Sequence, residues 1–101
     1  MAHDPNAPVI LVVDDEAMVR MSGVMMLEDA GYEVLEAASA DEAMELLKHA
    51  PEVRLMFSDV DMPGSMNGVE LATAVNDRWP NIRLLLTVPR QHLWPRFEVV
   101  I

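Results

Sequence analysis

The chain has 101 residues, 51% hydrophobic and 24% charged, which is enough apolar material for one packed domain and too little length for a two-domain enzyme. Seventeen acidic against seven basic residues give a formal net charge of -10, the wrong sign for holding nucleic acid phosphates, so no direct DNA or RNA binding is expected. The absence of cysteine excludes disulfides, thiolate nucleophiles and cysteine-ligated metals.

Residues 1–8 read as a flexible polar arm without the basic and apolar regions of an export signal, so a soluble, cytoplasmic chain with no membrane segment is expected. Val9–Val13 is a continuous apolar run suited to a strand buried on both faces, and it stops abruptly at Asp14-Asp15-Glu16. From Ala17 the period becomes helical, with Met18, Met21, Val24, Met25 and Leu27 as the repeat and Ala30-Gly31 as the stop. The methionines at 18, 21, 25 and 26 read as flexible core filler.

Glu33–Ala37 is the second predicted strand, and Ser39-Ala40-Asp41-Glu42 is a capping box opening a helix that must end near Pro51. Residues 53–57 form a third apolar run that again halts at an acid, Asp59. After a Pro63-Gly64 turn, Asn67-Gly68-Val69-Glu70 opens a third helix, closed by Trp79-Pro80, and residues 82–86 form a fourth strand ending at Thr87. Strand and helix alternating in this way imply right-handed crossovers and a parallel sheet covered on both faces. Such sheets carry their sites beyond the carboxyl ends of the strands, which gathers Asp14, Asp15, Asp59 and Thr87 at one edge.

Carboxylates held together repel one another, and a hard dication resolves the conflict. An oxygen-only set favours Mg²⁺, with Mn²⁺ as an alternative, and leaves room for a substrate phosphate. The same ion would neutralise a phosphoryl group approaching one of the acids, which then acts as nucleophile, with Thr87 donating a hydrogen bond. Taken alone, Asp14-Asp15-Glu16 also reads as acids favoured at a helix N-terminus. The three histidines, His3, His49 and His92, lie in flexible segments or near a helix end and are not expected to act as catalytic bases.

From about Val9 to Thr87 the chain resembles the receiver domain of two-component response regulators. The resemblance rests on the acidic pair after the first strand, on Asp59-Val60-Asp61-Met62-Pro63-Gly64, and on the hydroxyl at Thr87. It implies a flavodoxin-like doubly wound parallel sheet in strand order 2-1-3-4. It further implies that Asp59 accepts phosphate from a histidine kinase or phosphotransfer protein, and that Asp15, Asp59 and the backbone carbonyl of Asp61 bind Mg²⁺ directly. Asp14 would act through water, and Thr87 would swing toward the phosphate as a switch. At most, self-phosphorylation and autodephosphorylation are expected as enzymatic activity.

The resemblance breaks after Thr87. Receiver domains carry a lysine at the end of a fifth strand, followed by a further helix, whereas the lysine here is Lys48 within the second predicted helix. Residues 88–101, interrupted by Pro89 and Pro95, form an atypical tail, and the break favours truncation or a change of reading frame over natural drift. Residues 97–101 are strong strand formers, so the tail is expected to fold back as an edge strand or to pair two chains through the fourth-strand edge. No effector domain is expected to follow, so output would come from partner contacts.

Other classes fit less well. A non-phosphorylated pseudo-receiver acting as an interaction module remains the principal alternative. A haloacid dehalogenase-like phosphatase fragment shares Asp59-x-Asp61 but needs a threonine where Pro63 stands. A calcium loop running from Asp59 to Glu70 is excluded by Pro63 at a ligand position and by the preceding strand.

Overall fold

The computed structural model describes residues 8–60, 62–88 and 96–99. His3, Asp61, His92 and Trp94, and with them the arm and most of the tail, lie outside the described residues. The elements run β1 (Val9–Val13), α1 (Ala17–Asp29), β2 (Glu33–Ala37), α2 (Ala40–Leu47), β3 (Val53–Asp59), α3 (Gly68–Arg78), β4 (Arg83–Val88) and β5 (Arg96–Val99). They form one sheet in order β2-β1-β3-β4-β5, in which the first four strands are parallel and β5 runs antiparallel against β4. The expected α/β architecture with parallel order 2-1-3-4 is therefore the observed one.

β1 is central because its five residues are all buried and none is polar, so both faces can be covered. Val9, Leu11 and Val13 join the larger core under α2 and α3, with Met56, Leu71, Val75 and Leu84, while Ile10 and Val12 join Val24 beneath α1. The helices lie on both faces of the sheet, as a doubly wound chain requires.

Local chemistry sets the boundaries. The N–H of Gly31, at φ 98°, donates to Glu28 and that of Tyr32 to Leu27, closing α1 with the residue type that tolerates the left-handed conformation. Asn67 and Glu70 cap α3 reciprocally, each side chain accepting the other's backbone N–H at 2.9 Å. At α2 the Ser39 hydroxyl accepts from the Glu42 N–H at 3.1 Å, but the Glu42 carboxylate accepts from Ala38 at 2.8 Å. The expected box there is displaced by one residue, because the N–H of Ala38 is equally in need of a partner.

One expectation fails outright. Met18, Met21, Met25 and Met26 are not core filler, for they are 57–82% exposed. α1 carries two stripes at helical spacing, and the inward one is Arg20, Val24 and Leu27. It begins with an arginine, so apolar periodicity merged its Val24 and Leu27 with the methionines of the outward stripe. Trp79, which closes α3, is half-buried against the main core with the Arg78 guanidinium 4.8 Å from its ring centre.

Candidate phosphoacceptor and metal site

β1 and β3 are neighbours, while the crossover from β1 leads outward to β2, so the strand order reverses between β1 and β3. A crevice is expected at that point beyond the strand ends. Asp14 and Asp15 follow β1, Asp59 is the last residue of β3, and one carboxylate oxygen from each lies within 4.8 Å of the other two. Parallel pairing places Thr87 of β4 directly beside Asp59. Four side chains drawn from three strands thus meet at one edge.

Their environments differ. Asp14 is buried, Asp59 half-buried and Asp15 exposed. Asp14 Oδ1 accepts the Glu16 N–H at 2.9 Å, a short-range contact that shapes the turn into α1 and leaves the other carboxylate oxygen for further partners. The backbone N–H of Val60 donates to the Thr87 carbonyl at 3.1 Å, tying the segment after Asp59 to β4. Thr87 Oγ1 lies 3.5 Å from the Ser58 carbonyl, a long contact that costs little for a rotatable hydroxyl to give up.

Three residues that sequence reasoning did not single out support this edge. Arg20 reaches back from α1, donating to the Asp14 carbonyl at 2.7 Å and pairing with Glu36 of β2 at 2.9 Å. It joins the acidic turn to the neighbouring strand, and only its distance of six residues from Asp14 hinted at this. Gly68 sits against the end of β3, where an added Cβ would fall 2.8 Å from both the Asp59 carbonyl carbon and the Val60 Cα. Ser65 donates to Asp41 at 2.7 Å, pinning the loop after β3 to the start of α2.

The donor set fits a small hard cation: three carboxylates converge, and among the described residues no histidine belongs to the cluster. No helix among the described residues is long and apolar enough to cross a membrane.

Residues 10–92 match the family model of the response regulator receiver domain. The chain is 42% identical over 81 residues to the sensor kinase CckA of Brucella abortus, covering 79% of this chain and 8% of that protein. It is 41% identical over 73 residues to the hydrogenase transcriptional regulatory protein HoxA of Cupriavidus necator, covering 72% and 14% respectively. It thus spans a small part of these relatives. Among solved structures, the chemotaxis protein CheY4 of Vibrio cholerae superposes with a TM-score of 0.74 at 34% identity, covering 79% of this chain and 67% of that one. The receiver domain of the hybrid histidine kinase CckA gives a TM-score of 0.71 at 34% identity, covering 77% and 72%. With the family model spanning most of the chain and these relatives sharing its fold, the chain belongs to the response regulator receiver domain family.

Proposed function

We propose that this receiver domain, carried by residues 9–87, works in the cytoplasm and takes a phosphoryl group on Asp59 from a histidine kinase or phosphotransfer protein. The observation that carries this reading is the convergence of Asp14, Asp15 and Asp59 at the strand-order reversal. A carboxylate oxygen of Asp59 attacks phosphorus in line with the bond from phosphorus to a phosphohistidine nitrogen. That bond breaks, its electron pair returns to the imidazole, which takes up a proton, and an acyl phosphate forms on Asp59. Asp15, Asp59 and the Asp61 carbonyl would hold Mg²⁺ directly and Asp14 through water. When bound, the ion supplies charge neutralisation for the transferring group. The Thr87 hydroxyl, already beside Asp59 in the register, would turn from Ser58 to donate to a phosphoryl oxygen and act as the switch.

Intact-mass spectrometry with acetyl phosphate or phosphoramidate tests the reading. A gain of one phosphoryl group in Mg²⁺, lost in EDTA and in Asp59→Asn, is the expected result. An adduct that persists in Asp59→Asn would refute the assigned acceptor.

The alternative interaction module is favoured by one feature, the exposed methionine stripe of α1, which offers apolar surface without any chemistry. A folded wild-type chain that takes no phosphoryl group would move the reading there. The tail remains the proposed route to a homodimer. Because β5 occupies the outer edge of β4, a second chain would either lend its own β5 in exchange or pair along the outer edge of β5. Sedimentation velocity is expected to show dimer growing with concentration, and a monomer at all concentrations would exclude this route.

A further inference from the structure

We propose that the methionine stripe of α1 is a reversible oxidation site, at which a neutral peroxide turns apolar surface into polar surface while the core stays intact.

The type of side chain singles out this surface. Met18, Met21, Met25 and Met26 are 57–82% exposed, and the other exposed large hydrophobics among the described residues are Val19, Tyr32 and Val69. Methionine usually serves to fill irregular gaps in a core, and a position facing solvent has no gap to fill. Helix propensity does not require it either, because leucine forms helices equally well. What methionine adds at such a position is a thioether open to oxidants in solution. The chain has nine methionines and no cysteine, so no thiol of its own competes for a two-electron oxidant.

Geometry separates these four from the core. Arg20, Val24 and Leu27 hold α1 to the sheet, and an oxygen on an outward sulfur disturbs none of their contacts. Met56, within β3, is fully buried and Met62 is 7% exposed, so an oxidant reaches them only when the structure opens. Charge then selects the reagent. Asp15 and Glu16 stand exposed before α1 and Glu28 and Asp29 stand exposed at its end, on a chain of formal charge -10. That field holds off anionic oxidants but not uncharged hydrogen peroxide.

In the reaction a sulfur lone pair attacks one peroxide oxygen, the O–O bond breaks and hydroxide leaves. The proton on the transferred oxygen passes to that hydroxide, so sulfur is oxidised by two electrons and one water forms. The sulfoxide is returned by two thiols, which become a disulfide and release water, on the two sulfoxide reductases that each accept one epimer. Each sulfoxide is polar, so four of them replace an apolar contact surface by a hydrated one.

Peptide mass spectrometry of the folded chain over a hydrogen peroxide time course tests the site. Met18, Met21, Met25 and Met26 should each gain one oxygen at least about tenfold faster than Met56, which must wait for opening. Circular dichroism should stay unchanged, while retention of the folded chain on a hydrophobic-interaction column should fall and should return after treatment with both reductases and a thiol. A chain combining Met18→Leu, Met21→Leu, Met25→Leu and Met26→Leu keeps the apolar stripe without its sulfur, so its retention should not respond to peroxide. Equal rates at Met56 and on α1, or loss of fold as the four oxygens are added, would overturn the site. Retention unchanged by oxidation, or falling as far in the leucine variant, would overturn the change of surface. The peptide map and the wild-type retention decide even where the leucine variant does not fold, and neither depends on Asp59 being the phosphoacceptor.

Discussion

Substitution of Gly68 by alanine is expected to lower stability by about 3 kcal/mol, the upper end of the usual cost of overpacking. For a domain of this size that corresponds to a fall in Tm of roughly 12 to 24 °C, readable by calorimetry. The reason is contact with backbone on both sides of the new atom. An added Cβ would overlap the Asp59 carbonyl and press on the Val60 Cα, and neither can move as a flexible side chain would. The Gly68 N–H also donates to the Val60 carbonyl at 2.8 Å, so the start of α3 cannot retreat without giving up that bond. Asp59 would be displaced together with its carbonyl, and adduct formation should fall alongside stability. A Gly68→Ala chain with wild-type Tm would show that the helix start yields freely. Gly23, by contrast, has open space where a Cβ would stand, so Gly23→Ala serves as the control.

Substitution of Asp15 by asparagine should move stability in opposite directions with and without metal. In EDTA the variant is expected to be more stable than wild type, because one of three mutually repelling carboxylates is gone. In saturating Mg²⁺ the order should reverse. A ligand that binds only the folded state at a hundred times its Kd adds about 2.7 kcal/mol, and Asp15→Asn should forfeit nearly all of it. Asp15 suits this experiment because it is exposed, so the change removes charge without opening a cavity. Urea titrations of both chains under both conditions measure the crossing. Parallel curves, with the same difference in Mg²⁺ and in EDTA, would show that the three acids hold no ion.

The parts of the molecule legible in the sequence are those that a single local rule decides. Val9–Val13 has no polar residue and so can only be central, and Asn67 with Glu70 starts α3 by reciprocal capping. Asp14, Asp59 and Thr87 were visible as site residues because each interrupts an apolar run, and in a parallel sheet all such interruptions fall at the same edge. What escaped depends on two parts of the chain at once. The inward face of α1 is set by Arg20 reaching a carbonyl in the turn after β1 and a carboxylate on β2, which no periodicity records. The role of Gly68 arises from the path of β3, nine residues earlier, and a glycine after a capping residue reads simply as part of the helix start. The direction of β5 is likewise invisible in composition, since residues that favour strands do so in either orientation.

The outward methionine stripe of α1 also bears on the colloidal behaviour of the molecule. Five apolar side chains, Met18, Val19, Met21, Met25 and Met26, face solvent on a chain whose formal charge is -10. At low ionic strength that charge holds molecules apart before their apolar stripes can meet. The repulsion reaches about 10 Å in 0.1 M salt but only about 3 Å in 1 M, while the attraction between stripes does not weaken in the same way. Charge is thus the barrier between these stripes, and concentrated salt or a pH near the sequence pI of 4.4 is expected to remove what keeps α1 of one molecule from α1 of the next.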